Sequence, residues 1–304
     1  MRYPKVVVEA QDVASGRRYA MAVRVFSDRG LAAFKNEQQF LLEAQHAAAL
    51  EESIARQACG TTPAALAGSH KGLAVPLFAA AVADSPDSVF LDEFYVFGRV
   101  QLFERLADGA SLAAVVRQQL PLHAKEYIAQ RLLQLVLKLQ QAGLSHNGLT
   151  WESLKLRPDG SFLLGDLSFC TRLASPLGPF AKLPGRRTEP QLLLQNYRYG
   201  EEAVPQANSD FWSLGVLLYE LFTDGGAPYL PVGNGDEMEE ARHFAETLLT
   251  NKVRPLVLVP RLKEADVPVR WRQLILRCLE PMRSNRISAM PLLTEFPDLV
   301  KRRP

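Results

Sequence analysis

The chain has 304 residues, of which 47% are apolar and 22% charged, a balance that fits a folded globular protein and excludes a largely disordered one. Its 35 Lys and Arg against 33 Asp and Glu leave a formal charge of +2, so no overall field draws it to nucleic acid. The basic runs Arg186-Arg187 and Lys301-Arg302-Arg303 read as solvated surface, and Cys59, Cys170 and Cys278 have no metal-ligand spacing and allow at most one disulfide.

The chain enters a strand-like run, Val6-Val7-Val8, with no apolar signal core or cleavage site before it. No segment reaches the roughly 18 apolar residues of a membrane helix. The expectation is a soluble chain, or a fragment that has lost its leader. Val6 to Ala10, a turn at Ala14-Ser15-Gly16 and Tyr19 to Phe26 predict a two-stranded hairpin. Phe34 to about Gln57, rich in Ala, Leu, Glu and Gln, predicts a helix that stops near Gly60. Two apolar runs, Leu73 to Val82 and Val89 to Val100, predict strands separated by the turn Asp84-Ser85-Pro86-Asp87.

Beyond about residue 103 the pattern becomes helical. Lys125 to Ala142 carries Ile128, Leu132, Leu135, Val136 and Leu139 on one stripe, with Gly143 as the stop signal. Leu154 to Leu156 and Phe162 to Leu164 predict short strands joined by the turn Arg157-Pro158-Asp159-Gly160. Asp210 to Phe222 is apolar nearly all round, which predicts a helix buried in a core.

This succession resembles that of a protein kinase, and several motifs fall at matching spacing. Ser209-Asp210-Phe211-Trp212-Ser213-Leu214-Gly215 is similar to the segment that opens the central buried helix of kinases, where Asp210 would cap the helix and hold the backbone near His146. His146-Asn147-Gly148-Leu149 lies at the H-R-D-L loop, Asp166-Leu167-Ser168 at D-F-G, and Glu189-Pro190-Gln191 at A-P-E. Gln191 would then replace the A-P-E glutamate, its link to Arg286 dropping from ion pair to hydrogen bond. Met21-Ala22-Val23-Arg24 resembles V-A-I-K, with Glu37 of Asn36-Glu37-Gln38-Gln39-Phe40-Leu41 in the role of the lysine's glutamate partner; Arg24 is expected to pair with Glu37 or Asp166, and Asp166 is preferred because the longer arginine reaches across the cleft. His146, Leu167 and Leu41 would stack as a hydrophobic column over Asp210. More narrowly, Val89 to Leu112, Gly143 to Leu173 and Ser175-Pro176-Leu177-Gly178 resemble the rhoptry kinases of apicomplexan parasites. The resemblance implies an α+β, bilobal protein kinase-like fold, with a small β-rich lobe at residues 1–102 and a larger helical lobe at 103–304.

The residues that phosphoryl transfer requires are mostly missing. A kinase holds phosphates, neutralises their charge with Mg²⁺ and positions the acceptor hydroxyl with a carboxylate. At the positions that the resemblance matches, the carboxylate is Gly148, the second Mg²⁺ ligand is Ser153 and the lysine is Arg24. Counting back from Val7 puts the glycine-rich loop on Met1 to Lys5, which contains no glycine, so the loop is truncated or lacking. Strand alternation would point Lys155 into the cleft, where kinases carry an apolar floor for adenine; a register slip of one would leave it solvated. Asp166 is the one retained metal-binding carboxylate, a poor Mg²⁺ site without phosphates.

The expectation is a pseudokinase: no catalytic residue, no cofactor, no metal, and work done as a protein-interaction scaffold or allosteric regulator. Arg24, Glu37, His146, Gly148, Ser153 and Asp166 are then degenerate positions, Arg24, Glu37, Lys155 and Asp166 a vestigial cleft, and Asp210, Trp212, Gln191 and Arg286 structural. The implied partner is a protein, such as an active kinase or a host protein. The implied location, by resemblance alone, is the rhoptry or the parasitophorous vacuole of a parasite. Alternatives are a nucleotide-binding pseudokinase in which Arg24, Glu37 and Asp166 hold ATP with Mg²⁺, and an atypical Ser/Thr kinase in which Glu152 or Asp159 substitutes for the missing acid.

Overall fold

The structure, a computed structural model, describes residues 5–27, 37–81, 88–91, 94–105, 111–157, 159–177, 183–197, 202–229 and 237–301. The expected glycine-loop positions 1–4, the turn 84–87, the start of the predicted helix at 34–36, Pro158, Gly178 and the basic pair 302–303 lie outside them. The chain divides into two compact units, residues 1–110 with 155–168, and residues 111–154 with 169–304.

The first unit is built on an antiparallel sheet of order β1-β2-β5-β3, with β4 also paired to β5. Its strands are β1 (Lys5–Gln11), β2 (Arg18–Ser27), β3 (Phe78–Ala81), β4 (Ser88–Leu91) and β5 (Phe94–Glu104). The hairpin β1–β2 is the expected one, turned by Asp12, whose carboxylate accepts from the backbone N–H groups of Ala14 and Ser15, and by Gly16 at φ 69°. Between β2 and β3 come α1 (Glu37–Cys59) and α2 (Ala64–Lys71). Helix α1 buries a stripe through Ala48, Ile54, Ala55 and Ala58.

Two expectations change here, and one element is new. Val89 to Val100 is not one strand but the hairpin β4–β5, with Leu91 paired to Phe94, because the acidic pair Asp92-Glu93 interrupts the apolar run. Leu73 to Val82 is extended only from Phe78, while Leu73 makes a lone parallel bridge to Leu164. Helix α2 has no counterpart in the sequence reading; it is eight residues long, too short to show a period, and ends at Gly72 in the left-handed region.

The second unit begins with α3 (Leu112–Val116) and α4 (Leu122–Gln141), followed by β6 (Leu144–Ser145) and a single 3-10 turn, Trp151–Ser153. The chain then passes into the short strand β7 (Leu154–Leu156), paired with β8 (Phe162–Leu164), a hairpin that belongs mainly to the first unit. It returns with β9 (Thr171–Arg172), which pairs with β6, and continues through α5 (Pro190–Tyr197) and α6 (Ser209–Phe222). The helices α7 (Glu237–Thr250), α8 (Val259–Glu264), α9 (Val269–Cys278), α10 (Ala289–Glu295) and α11 (Pro297–Val300) complete the second unit.

Helix α6 is the centre of this unit, as its all-round apolar sequence predicts: every residue except Glu220 is buried. Trp212 stacks on Tyr229 at 6.0 Å, and Phe222 packs on Trp271 of α9 at 5.6 Å. Gly215 lets α6 and α9 meet closely, since a Cβ there would come 2.7 Å from the Cβ of Cys278. Alanine gains about 1 kcal/mol over glycine in helix propensity, but overpacking a core costs about 1–3 kcal/mol. Gly215→Ala is therefore expected to lower the urea midpoint of the second unit, and a raised midpoint would show that the two helices are not in this contact.

Candidate functional site

The segment from Ser145 to Ser153 is held from below by one carboxylate. Asp210, in the first turn of α6, accepts the backbone N–H of His146 at 2.7 Å and of Asn147 at 3.0 Å. Burial pushes the Asp210 carboxyl above its usual pKa range, while the nearby His146 and these two N–H donors oppose the shift. The helix N-terminus, with its unsatisfied N–H groups, favours a negative charge at this point.

Asn147 lies between this anchor and the next strand. Its backbone takes the left-handed conformation, φ 59°, which asparagine tolerates better than most side chains. Its buried amide Nδ2 donates to the Phe169 carbonyl at 2.9 Å and to the Thr171 hydroxyl at 3.0 Å, and its Oδ1 accepts from the Ser145 hydroxyl at 2.8 Å. These bonds tie the loop to residues 169–171.

Gly148 faces the side chain of Phe169. A Cβ at 148 would come 2.7 Å from Phe169 Cδ2 and 3.0 Å from Cγ, closer than side chains pack. The space in which a carboxylate side chain would start is occupied by that ring. Five residues on, Ser153 is buried and locked in a reciprocal capping box. Its hydroxyl donates to the Thr150 carbonyl at 2.7 Å and accepts the Thr150 N–H at 3.1 Å, so its proton and one of its two lone pairs are held by the turn. Trp151 in that turn donates Nε1–H to Glu220 at 2.7 Å, and Arg187 donates to the same carboxylate at 3.1 Å.

In the first unit Arg24 is buried and forms an ion pair with Glu51 of α1. The sequence points instead to Asp166, or to Glu37, which opens α1 and whose side chain lies outside the described residues. Glu37 and Glu51 are fourteen residues apart, close to four turns, so they share a face of α1 about 21 Å apart along its axis. Helical period alone cannot choose between them. A register irregularity between Val23 and Val25 sets Arg24 at a bulge, which re-aims its side chain. The neighbouring Glu52 receives Arg99 of β5 in a bidentate pair with contacts of 2.7 and 3.0 Å, a second tie between α1 and the sheet. Asp166 is half-buried at φ 58°, and Leu167 is buried. Lys155 and Leu156 on β7 are both half-buried, whereas Leu154 is fully buried, so the two leucines are not equivalent as expected. The side chain of Leu41 lies outside the described residues.

The A-P-E assignment needs a correction. Arg286 pairs with Glu189, not with Gln191. Glu189 is wholly buried, also pairs with Arg283, and accepts the Ser209 hydroxyl at 2.6 Å. Arg286 completes its fork on the carbonyls of Glu280 and Pro281, each at 3.0 Å, with its guanidinium over the Trp212 ring at 5.3 Å. Trp212 itself donates Nε1–H to the Arg186 carbonyl at 3.1 Å. Template spacing puts the acid after the proline; here it stands before it, and Pro190 opens α5 at a position needing no N–H. Gln191 Oε1 is buried with no hydrogen-bond partner.

No group of three or more His, Cys, Asp or Glu among the described residues could hold a metal ion, and no described helix is long and apolar enough to cross a membrane. Cys59, Cys170 and Cys278 are buried and none is in a disulfide.

Burial opposes ionisation of Glu189, yet Arg286, Arg283 and the Ser209 hydroxyl hold its carboxyl below the usual range. Removing one partner of a buried pair costs about 3–5 kcal/mol, so Glu189→Gln is expected to lose that much in urea unfolding. Gln191→Ala should change stability by about 0.5 kcal/mol or less. The Glu189 contribution is present above the unfolded carboxyl's pKa and is lost as pH falls through the lower folded value. The gap between wild type and Glu189→Gln should accordingly narrow on acidification; equal effects of the two substitutions at neutral pH would return the arginine's pairing to Gln191.

No protein-family model matches the chain. Solved structures with the same fold cover nearly all of it. Toxoplasma gondii ROP2, described as a virulence factor with a protein-kinase fold and no enzymatic activity, aligns at a TM-score of 0.67 and 17% identity over 97% of this chain and 76% of that one. The ROP18 kinase domain, solved in complex with AMP-PNP and sucrose, aligns at 0.67 and 18% identity over 97% and 77%. A Toxoplasma gondii rhoptry antigen kinase domain aligns at 0.63 and 16% identity over 98% and 78%. The chain has an α+β, protein kinase-like fold that resembles the Toxoplasma rhoptry kinases.

Proposed function

We propose that this chain is a pseudokinase that has kept the kinase fold as a binding scaffold or allosteric regulator and does not transfer phosphate. The observation that carries the reading is the Phe169 ring against Gly148. At the position matched to the hydroxyl-accepting aspartate there is no side chain, and the adjacent volume is filled. Ser153, at the position matched to the second Mg²⁺ ligand, has its hydroxyl committed to Thr150. An arginine in place of the lysine keeps the charge but presents a planar fork instead of a compact ammonium. On this reading the chain needs no cofactor and acts on a protein partner, an active kinase or a host protein. Likeness to rhoptry proteins, one of them described as a virulence factor, suggests secretion by a parasite to the rhoptry or the parasitophorous vacuole.

A second reading, a nucleotide-binding pseudokinase, is favoured by the buried Arg24–Glu51 pair, which parallels the lysine–glutamate ion pair of competent kinases. The two readings separate in a thermal-shift titration with ATP and Mg²⁺. Ligand at 100-fold excess over its dissociation constant adds about 2.7 kcal/mol, so the expected absence of a shift at millimolar nucleotide is informative. A clear wild-type shift transfers support to the second reading. Lys155→Leu, which restores an apolar residue at the matched adenine floor, is expected to improve nucleotide binding. In a phosphotransfer assay both wild type and Gly148→Asp are expected to be silent, the latter also melting lower because Phe169 must move. Phosphotransfer by either protein would overturn the proposal.

A further inference from the structure

The second unit carries a groove of about 1040 Å³, formed by the C-terminal end of α7, the turn after it, α9 and the residues leading into α11. It is separate from the segment 145–153. Its apolar lining comes from Leu249, Val253, Leu256, Leu276 and Met282. Leu256 is 64% exposed and Met282 40%, and the adjoining Val257 is 62% exposed, so apolar surface gathers here without a covering element among the described residues. Exposed apolar surface of this kind, rimmed by charge, marks interaction sites.

The rim has a sign. Lys252, Arg254, Arg270 and Arg277 line the groove against Glu280 and Glu295. Arg270 is largely engaged, bonded to Asp298, Gln273 and the Glu295 carbonyl with its guanidinium over Phe296, whereas Arg277 pairs with Glu295. Lys252 and Arg254 are exposed; burial pushes the Glu280 carboxyl up, and the charge of Arg254, with those of Arg277 and Arg286, opposes that push. Glu280 is half-buried, so its charge is set back from the rim.

We infer that this groove docks an acidic amphipathic segment of a partner protein, with apolar side chains seated around Leu256 and Met282 and carboxylates reaching Lys252 and Arg254. The inference rests on the reading that the chain works by binding, and it names the surface. Charge complementarity chooses the occupant: a basic segment would meet the exposed cations Lys252 and Arg254, and a neutral one would leave the basic excess of the rim unanswered. Apolar anchors in the groove supply affinity, and the charged rim supplies register and attraction.

The test uses the full chain and fluorescence anisotropy with a labelled peptide of about 15 residues in which Leu and Glu alternate at helical spacing. A Leu/Lys counterpart and a Ser/Glu counterpart serve as controls. The Leu/Glu peptide is expected to bind, to weaken as salt rises, and to lose about tenfold on Arg254→Glu and on Leu256→Asp. The Leu/Lys peptide should bind Arg254→Glu better than wild type. Both positions are exposed, so melting temperatures should stay at the wild-type value, with Lys252→Glu as a further variant should either fall. No binding of the Leu/Glu peptide, equal binding of the Leu/Lys peptide, or indifference to all three variants overturns the docking surface. So does a dimer in sedimentation that Leu256→Asp dissolves, which assigns the groove to a second copy. Phosphotransfer alongside intact peptide binding overturns the inactive reading and leaves the groove, whereas peptide failure without phosphotransfer overturns the groove alone.

Discussion

Asp210 is a carboxylate carried into the core at the start of the most buried helix of the chain, and its two oxygens are spent on the N–H groups of His146 and Asn147. Desolvation of such a group is costly, and two backbone N–H bonds and the favourable end of a helix offset only part of it, so its carboxyl stays above the usual pKa range. The loop above it depends on that anchor. With the backbone at 146 and 147 fixed, Asn147 is held in its left-handed conformation, and its amide reaches Phe169 and Thr171. Phe169 is thereby placed over Gly148. A buried carboxylate at the start of α6 thus decides what sits at the matched catalytic position.

The same loop is filled by contacts of its own. At the matched positions 147, 148 and 153 the described side chains leave internal contacts, not open space. A ring fills beside Gly148, a capping box takes the Ser153 hydroxyl, and an amide at 147 makes fixed internal bonds. In kinases an arginine stands at that last position, and arginines that pair with phosphorylated loops order the active state. A neutral asparagine bonded to its own loop offers no such charge. Buried polar groups that are fully satisfied rigidify a structure, so this segment is held in one arrangement by its own hydrogen bonds.

The order of elements is legible in the sequence because the strongest signals are long-range patterns: the stripe of α4, the all-round apolarity of α6, the short strand pair after residue 153. The tie between Asp210 and the backbone at His146 is legible too, since both lie at fixed offsets from unambiguous helices. Partners are harder. Glu51 is hidden by helical periodicity, which repeats Glu37 four turns earlier on the same face. A carboxylate within the buried stripe of Ala48, Ile54 and Ala55 is the available signal for it. Glu189 is hidden by letter order, since a template that places the acid after the proline passes over the acid before it. Phe169 leaves no mark at all, because a ring packing on a glycine is a three-dimensional fact between residues twenty-one apart.

Those misses share a physical cause. Pattern reading locates elements by what one residue does repeatedly, but buried ion pairs are single events whose partners come from different elements. Arg24 and Arg286 both obey this. Each is a cation under 10% exposed, and each is tolerable only because a carboxylate reaches it. For Arg286 that carboxylate has two further partners, Arg283 and Ser209, so one acid binds the segment at 189 to the start of α6 and to the turn after α9. A network of that kind spans three stretches of chain with a handful of atoms. It ties these parts of the second unit together through side chains that neither of the matched positions 148 and 153 supplies.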